Sequence, residues 1–187
     1  MRVAVPRELV SGERRVAVVP DTIARLVARG AEVSVETGAG ARAFITDDDL
    51  TARGAHVVAD RHAMIEAADA VVSVQPLAAA EVASLHPGLV TISFLQPWAH
   101  ADVIDVYARA SVTSFSLDLV PRISRAQSMD ALSSQALVAG YHAVVLAAEA
   151  TPRMFPLFMT AAGTVAPAKV LVLGAGVAGL QAIATSR

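Results

Sequence analysis

The fourteen residues Pro121 to Ser134, PRISRAQSMDALSS, gather two permanent cations (Arg122, Arg125), an amide (Gln127), a carboxylate (Asp130) and hydroxyls at Ser124, Ser128 and Ser133. Guanidinium groups offer forked donors that suit carboxylate, phosphate or carboxamide oxygens, and Gln127 with Asp130 adds acceptors, so the set can hold a planar amide. It is rich in positioning groups and poor in nucleophiles. The plainer alternative is a capped helix start, with Ser124 as N-cap and Asp130 in or near the first turns.

A second stretch, KVLVLGAGVAGL at 169–180, follows. Lys169 to Leu173 reads as a buried strand, Gly174-Ala175-Gly176-Val177-Ala178-Gly179 as a Gly-x-Gly-x-x-Gly turn, and Leu180 to Thr185 as a helix. The three glycines have distinct physical roles. Gly174 makes the tight turn, Gly176 lets backbone approach a pyrophosphate, and Gly179 lets helix and strand pack closely. Strand before and helix after are the context that makes this spacing a dinucleotide site. The acidic residue that would contact the adenosine ribose belongs about 20 residues further on, past Arg187. The chain is therefore expected to be the front part of a longer protein.

The elements that must position these groups alternate from the start. Strands are expected at Val3–Val5, Glu32–Glu36, His56–Ala59, Ala70–Val74, Leu89–Leu95 and Val112–Leu117. Helices fall between them: one from Asp21, as cap, to Gly30, one opened by Asp47–Asp49, then Arg61–Ala68, Ala78–Leu85 and Ala101–Arg109. Such alternation requires crossovers and a mostly parallel sheet covered on both faces. The fold class is α/β, a doubly wound, mostly parallel, Rossmann-like or flavodoxin-like sheet. A long helix and the first strand-turn-helix of a truncated Rossmann domain come after it. The expected divisions are 1–125 for the α/β domain, 126–150 for the connecting helix and 151–187 for the start of the dinucleotide domain. The helix pattern, Met129 to Ala150, is apolar nearly all round and should be buried between layers or subunits. Residues 151–167, with Pro152, Pro156, Gly163 and Pro167, read as a loop packed at a domain or dimer interface.

Arg15, in the loop after the first strand, is placed either on a substrate or in a surface ion pair with Glu8 or Glu13. Thr37–Gly40 is a tight glycine turn. Composition narrows the partners. Net charge is −2 with no basic cluster, so nucleic acid is not expected. No cysteine is present and the five histidines show no ligand spacing, so no metal site is expected. The start of the chain does not read as a signal peptide. The uncharged runs 131–148 and 170–186 carry polar or glycine interruptions and read as buried elements, with no membrane insertion by this chain.

Taken with AGY at 139–141 and MTAAGTVAPAKVLVLGAGVAGLQAIAT at 159–185, these motifs resemble the NAD(H)-binding alpha subunit of proton-translocating NAD(P) transhydrogenase, in the alanine dehydrogenase/transhydrogenase family. The resemblance runs over the whole chain and implies direct hydride transfer from NADH to NADP+. It implies that Arg122, Asp130 and Ser133 hold and orient the nicotinamide while Gln127 reaches toward NADP(H) on a partner domain, and that Gly174, Ala175, Gly176, Val177 and Gly179 carry the dinucleotide. It further implies a homodimer, membrane-spanning partner subunits with the proton pathway, and a cytoplasmic place peripheral to the inner membrane. Alanine dehydrogenases share Glu13, Arg15 and Val16, but their substrate lysine and histidine are matched here by Gln75 and Gln96, which cannot shuttle a proton. That leaves an alanine-dehydrogenase-like oxidoreductase and a truncated, non-catalytic dimerising fragment as alternatives. Without the rest of its dinucleotide domain, this chain alone is expected to be inactive.

Overall fold

A computed structural model describes all of residues 1–187, which divide into two units, Met1–Leu119 and Val120–Arg187. The first is built on six parallel strands: β1 (Arg2–Val5), β2 (Glu32–Glu36), β3 (Ala55–Val58), β4 (Ala70–Val72), β5 (Val90–Ser93) and β6 (Thr113–Ser116). Their order across the sheet is β3-β2-β1-β4-β5-β6, every pair parallel, so the doubly wound architecture holds. Helices α1 (Pro20–Val27), α2 (Asp47–Thr51), α3 (Arg61–Glu66), α4 (Ala79–Ala83) and α5 (Ala101–Arg109) make the crossovers.

Alternation along the strands divides the core. Val3 and Val5 with Val33 and Val35 face Ile23 of α1 and Leu50 of α2. Ala4 and Val71 face the other way, toward Met64 and Ile65 of α3, Val82 of α4 and Tyr107 of α5. Ile23, Leu50 and Val82 are fully buried, each contributing about 1.5–3 kcal/mol. Local signals set the helix starts. Thr46 and Asp49 form a capping box at α2, and Asp60 caps α3 by accepting from Ala63 N–H. Asp21, expected as the cap of α1, instead sits in its first turn: Val19 is the N-cap and Pro20 the first helical residue, where a missing N–H costs nothing.

The second unit holds a 3-10 helix (Ser124–Met129), α6 (Ala131–Ala150), a hairpin of β7 (Phe158–Thr160) and β8 (Gly163–Val165), and α7 (Val177–Thr185). The hairpin corrects the loop reading of 151–167; its strands are three residues long and entirely exposed, so no alternation marked them. Residues 169–173 lead into the glycine turn as expected but pair with no neighbouring strand, and a strand requires a ladder. The burial expected of the two uncharged runs is also corrected. Only Gly140 and Val144 of α6 are buried, none of α7 is, and Leu137, Val138, Tyr141 and Leu146 stand about half exposed. Nothing in this chain covers their apolar surface. By length and composition α6 is the one helix that could cross a membrane.

Candidate functional site

The loop at 122–133 is shaped by its 3-10 helix. Three residues per turn put Ser124 and Gln127 on one edge and Arg125 and Ser128 on a second, while Ala126 turns inward, 3% exposed. Arg122 and Gln127 are exposed and Asp130 and Ser133 half-buried. The Asp130 backbone N–H donates to the Gln127 carbonyl at 3.3 Å. Asp130, not Ser124, caps α6. Its Oδ1 accepts from Ser133 N–H at 2.8 Å and its Oδ2 from Ser133 Oγ at 2.6 Å. These two bonds, aided by the charge of Arg122, hold the Asp130 carboxyl below the usual carboxylate range. The four expected groups thus lie on one short loop: Asp130 and Ser133 are locked together, Arg122 is close enough to act on them by its charge, and Gln127 is free to reach outward.

The glycine turn is built by the same logic. Gly174 has φ +111°, a conformation that L side chains rarely adopt. A Cβ on Gly179 would lie 2.0 Å from the Gly174 carbonyl oxygen, so only glycine lets α7 start that close to the turn. Gly176 is the N-cap of α7, and a Cβ there would point into open space. Leu180 N–H closes the first turn on the Gly176 carbonyl at 2.9 Å, leaving the N–H groups of Val177, Ala178 and Gly179 outside the ladder at the positive end of the helix. Open space in front of unpaired amides fits a phosphate group. No Asp or Glu follows Glu149, so this chain holds no carboxylate for the ribose.

Sequence reasoning missed how loop and turn are connected. A Cβ on Gly140, in the middle of α6, would stand 2.2 Å from the Ala178 carbonyl oxygen in the first turn of α7. The helix that begins at Asp130 therefore crosses backbone to backbone over the phosphate-type amides. The signal was a lone glycine in an alanine-rich helix.

In the first unit, Arg15 pairs with Glu13: Nη2 to Oε2 at 2.6 Å and Nε to Oε1 at 2.8 Å. Glu13 is buried, so this is no surface pair, and Glu8 is not the partner. Gln75 Nε2 donates to the same Glu13 at 2.8 Å, and the Arg15 guanidinium lies 5.8 Å from the Phe94 ring centre. The bonds from Arg15, then that from Gln75, hold the Glu13 carboxyl down at about 2, against the opposing effect of burial. Gln96 has φ +45° and gives its backbone N–H to Asp118 Oδ2 at 2.8 Å. The Thr37–Gly40 turn is tight, Gly38 N–H donating to Asp47.

A six-stranded doubly wound sheet, followed by a glycine turn whose amides face open space and a polar loop on the crossing helix, defines a dinucleotide-binding α/β protein. The chain belongs to the alanine dehydrogenase/PNT family: residues 4–139 match the model of its N-terminal domain and residues 143–187 that of its C-terminal domain. It is 48% identical to the first of the polypeptides that make up NAD(P) transhydrogenase subunit alpha in Rhodospirillum rubrum, over all of this chain and 50% of that protein. It is 46% identical to NAD(P) transhydrogenase subunit alpha of Cereibacter sphaeroides, covering 36% of it, and 34% identical to alanine dehydrogenase of Mycobacterium tuberculosis, covering 49%. The solved transhydrogenase from Sinorhizobium meliloti superposes with a TM-score of 0.94 at 43% identity, over 100% of this chain and 55% of that one. The chain spans half or less of the curated relatives it matches.

Proposed function

We propose that this chain carries part of the NAD(H) site of an NAD(P) transhydrogenase alpha subunit. The observation that carries the reading is the Gly140–Ala178 crossing, which ties a phosphate-type helix end to a loop built to orient a planar amide. The amides of the turn Gly174, Ala175, Gly176, Val177 and Gly179 hold the pyrophosphate. Arg122, Asp130 and Ser133 hold the nicotinamide carboxamide and fix its ring, and Gln127 reaches toward NADP(H) on a partner domain. When bound, NADH supplies the hydride. The protein's contribution is orientation, which explains a site without a nucleophile or general base. The partner subunits span the membrane and move the proton. The alpha subunit lies peripheral to the membrane, in the cytoplasm, and is a homodimer whose contact includes the apolar face of α6.

The relation to alanine dehydrogenases does not extend to their reaction. Gln75 and Gln96 offer no titratable group where proton transfer would be needed, and the Gln75 amide is already bonded to Glu13. In the full-length protein assembled with its partners, Arg122→Ala or Asp130→Asn is expected to slow NADH-to-NADP+ hydride transfer by about tenfold or more, because mispositioned reactants lose their alignment. Stopped-flow single-turnover kinetics would measure it. Unchanged rates in a folded variant would remove both residues from the site, and reduction of NAD+ with alanine would overturn the reading.

A further inference from the structure

The strand order of the first unit reverses at one place. β1 pairs with β2 on one side and β4 on the other. In open parallel sheets ligands enter the crevice beyond the strand ends at such a reversal. The crevice exists here. It has a volume of about 200 Å³ and is lined by Arg7, Glu8, Arg61, Ser73, Gln75 and Glu81, among others.

A phosphate in this crevice would need the backbone amides at the end of β4. Those of Val74 and Gln75 are taken: Val74 N–H donates to Glu8 Oε1 at 2.6 Å and Gln75 N–H to Glu8 Oε2 at 3.1 Å. The carboxylate arrives from more than sixty residues away, is 8% exposed and has no ion pair. Arg61, which lines the same crevice, is engaged by Glu36 at 2.7 Å and by Glu81 at 2.5 Å. Two adjacent amides closing on one unpaired carboxylate form the arrangement by which proteins bind free anions. A loop that only needed its amides satisfied could use water, without burying an acid. Burial pushes the Glu8 carboxyl up, the neighbouring Glu13 adds to this, and the two amide bonds with the charge of Arg61 oppose it.

We propose that Glu8 is a built-in anion that plugs the nucleotide-type crevice of the first unit and keeps phosphate groups out of it, leaving the turn at Gly174–Gly179 as the chain's one dinucleotide site. The space left beside Glu8 falls short of the about 300–1,000 Å³ of small-molecule sites. The plug also fixes Gln75, whose side chain holds Glu13 on Arg15, so the closed crevice and the Arg15 cluster form one unit.

The test is anion rescue in the full-length protein. Glu8→Ala is expected to melt below wild type in chloride. Formate and inorganic phosphate, at matched ionic strength, should each raise its melting temperature by about 4 °C or more beyond any rise in wild type, a scale set by the few degrees per kcal/mol usual at this size. Wild type and Glu8→Gln, whose crevices remain filled, should not discriminate between the salts. Equal responses from Glu8→Ala and wild type would overturn the proposal. Should Glu8→Ala fail to fold, NMR of the wild type decides. The Val74 and Gln75 amide shifts should titrate with a single midpoint that is absent from Glu8→Gln and should not move on adding phosphate; a flat pH profile, or phosphate binding at those amides, would overturn it.

Discussion

Glu8 and Glu13 are neighbours with opposite proton affinities, and that opposition sets an acid response. The Glu13 carboxyl is held at about 2, below its unfolded value of 4.5, so its contribution is complete above pH 4.5 and lost as pH falls toward 2. The Glu8 carboxyl is raised, so its contribution has the reverse sign: present below its unfolded value, and lost as pH rises through its folded one. Glu13→Gln is therefore expected to lower stability near neutral pH by about 1.5–3 kcal/mol, the range for hydrogen bonds to a charged group. It should also flatten the loss between pH 4.5 and 2, as read by denaturant titration at a series of pH values. The sequence exposed one side of this chemistry. Arg122, Gln127, Asp130, Ser133 and the glycines stand within short stretches and could be read as groups. The bonds of Glu8 to Val74 and of Glu13 to Gln75 join residues more than sixty apart, which only the β1–β4 pairing brings together.

Among the elements, α6 and α7 are defined by what their glycines permit. An exposed mid-helix glycine replaced by alanine should stabilise a helix by about 1 kcal/mol. At Gly140 the sign should reverse, because the new Cβ meets the Ala178 backbone at 2.2 Å and backbone cannot swing away as a side-chain tip can. Gly140→Ala is expected to cost about 1–3 kcal/mol, the usual range for overpacking. It should weaken NADH binding by displacing the first turn of α7; calorimetric melting and a fluorescence titration of the full-length protein measure the two effects. Strand and helix order in the first unit was legible because each element buries a face and shows its period. The β7–β8 hairpin was not: Pro152, Pro156 and Pro167 signalled a loop, and exposed three-residue strands supplied no pattern against it.

At the scale of the whole molecule, the first unit has two packed cores, whereas the second leaves apolar surface bare on α6, the hairpin and α7. Apolar composition foretold that these helices would be covered, and composition cannot say by what. If α6 forms the proposed dimer contact, Leu137→Glu with Val145→Glu should convert the full-length protein to monomers in sedimentation velocity. Because both positions are exposed within the chain, the unfolding free energy of the monomer should change by no more than about 0.5 kcal/mol.

The Gly140 crossing acts as a gauge of length. Asp130 lies ten residues before it, and at 1.5 Å per residue that sets about 15 Å of rigid helix between the polar loop and the crossing over α7. A ligand must be long enough to place an anion at one end and an amide at the other. A free carboxamide ring or an isolated phosphate satisfies a single end, so fragments of a dinucleotide gain neither the second contact nor the alignment that comes with it.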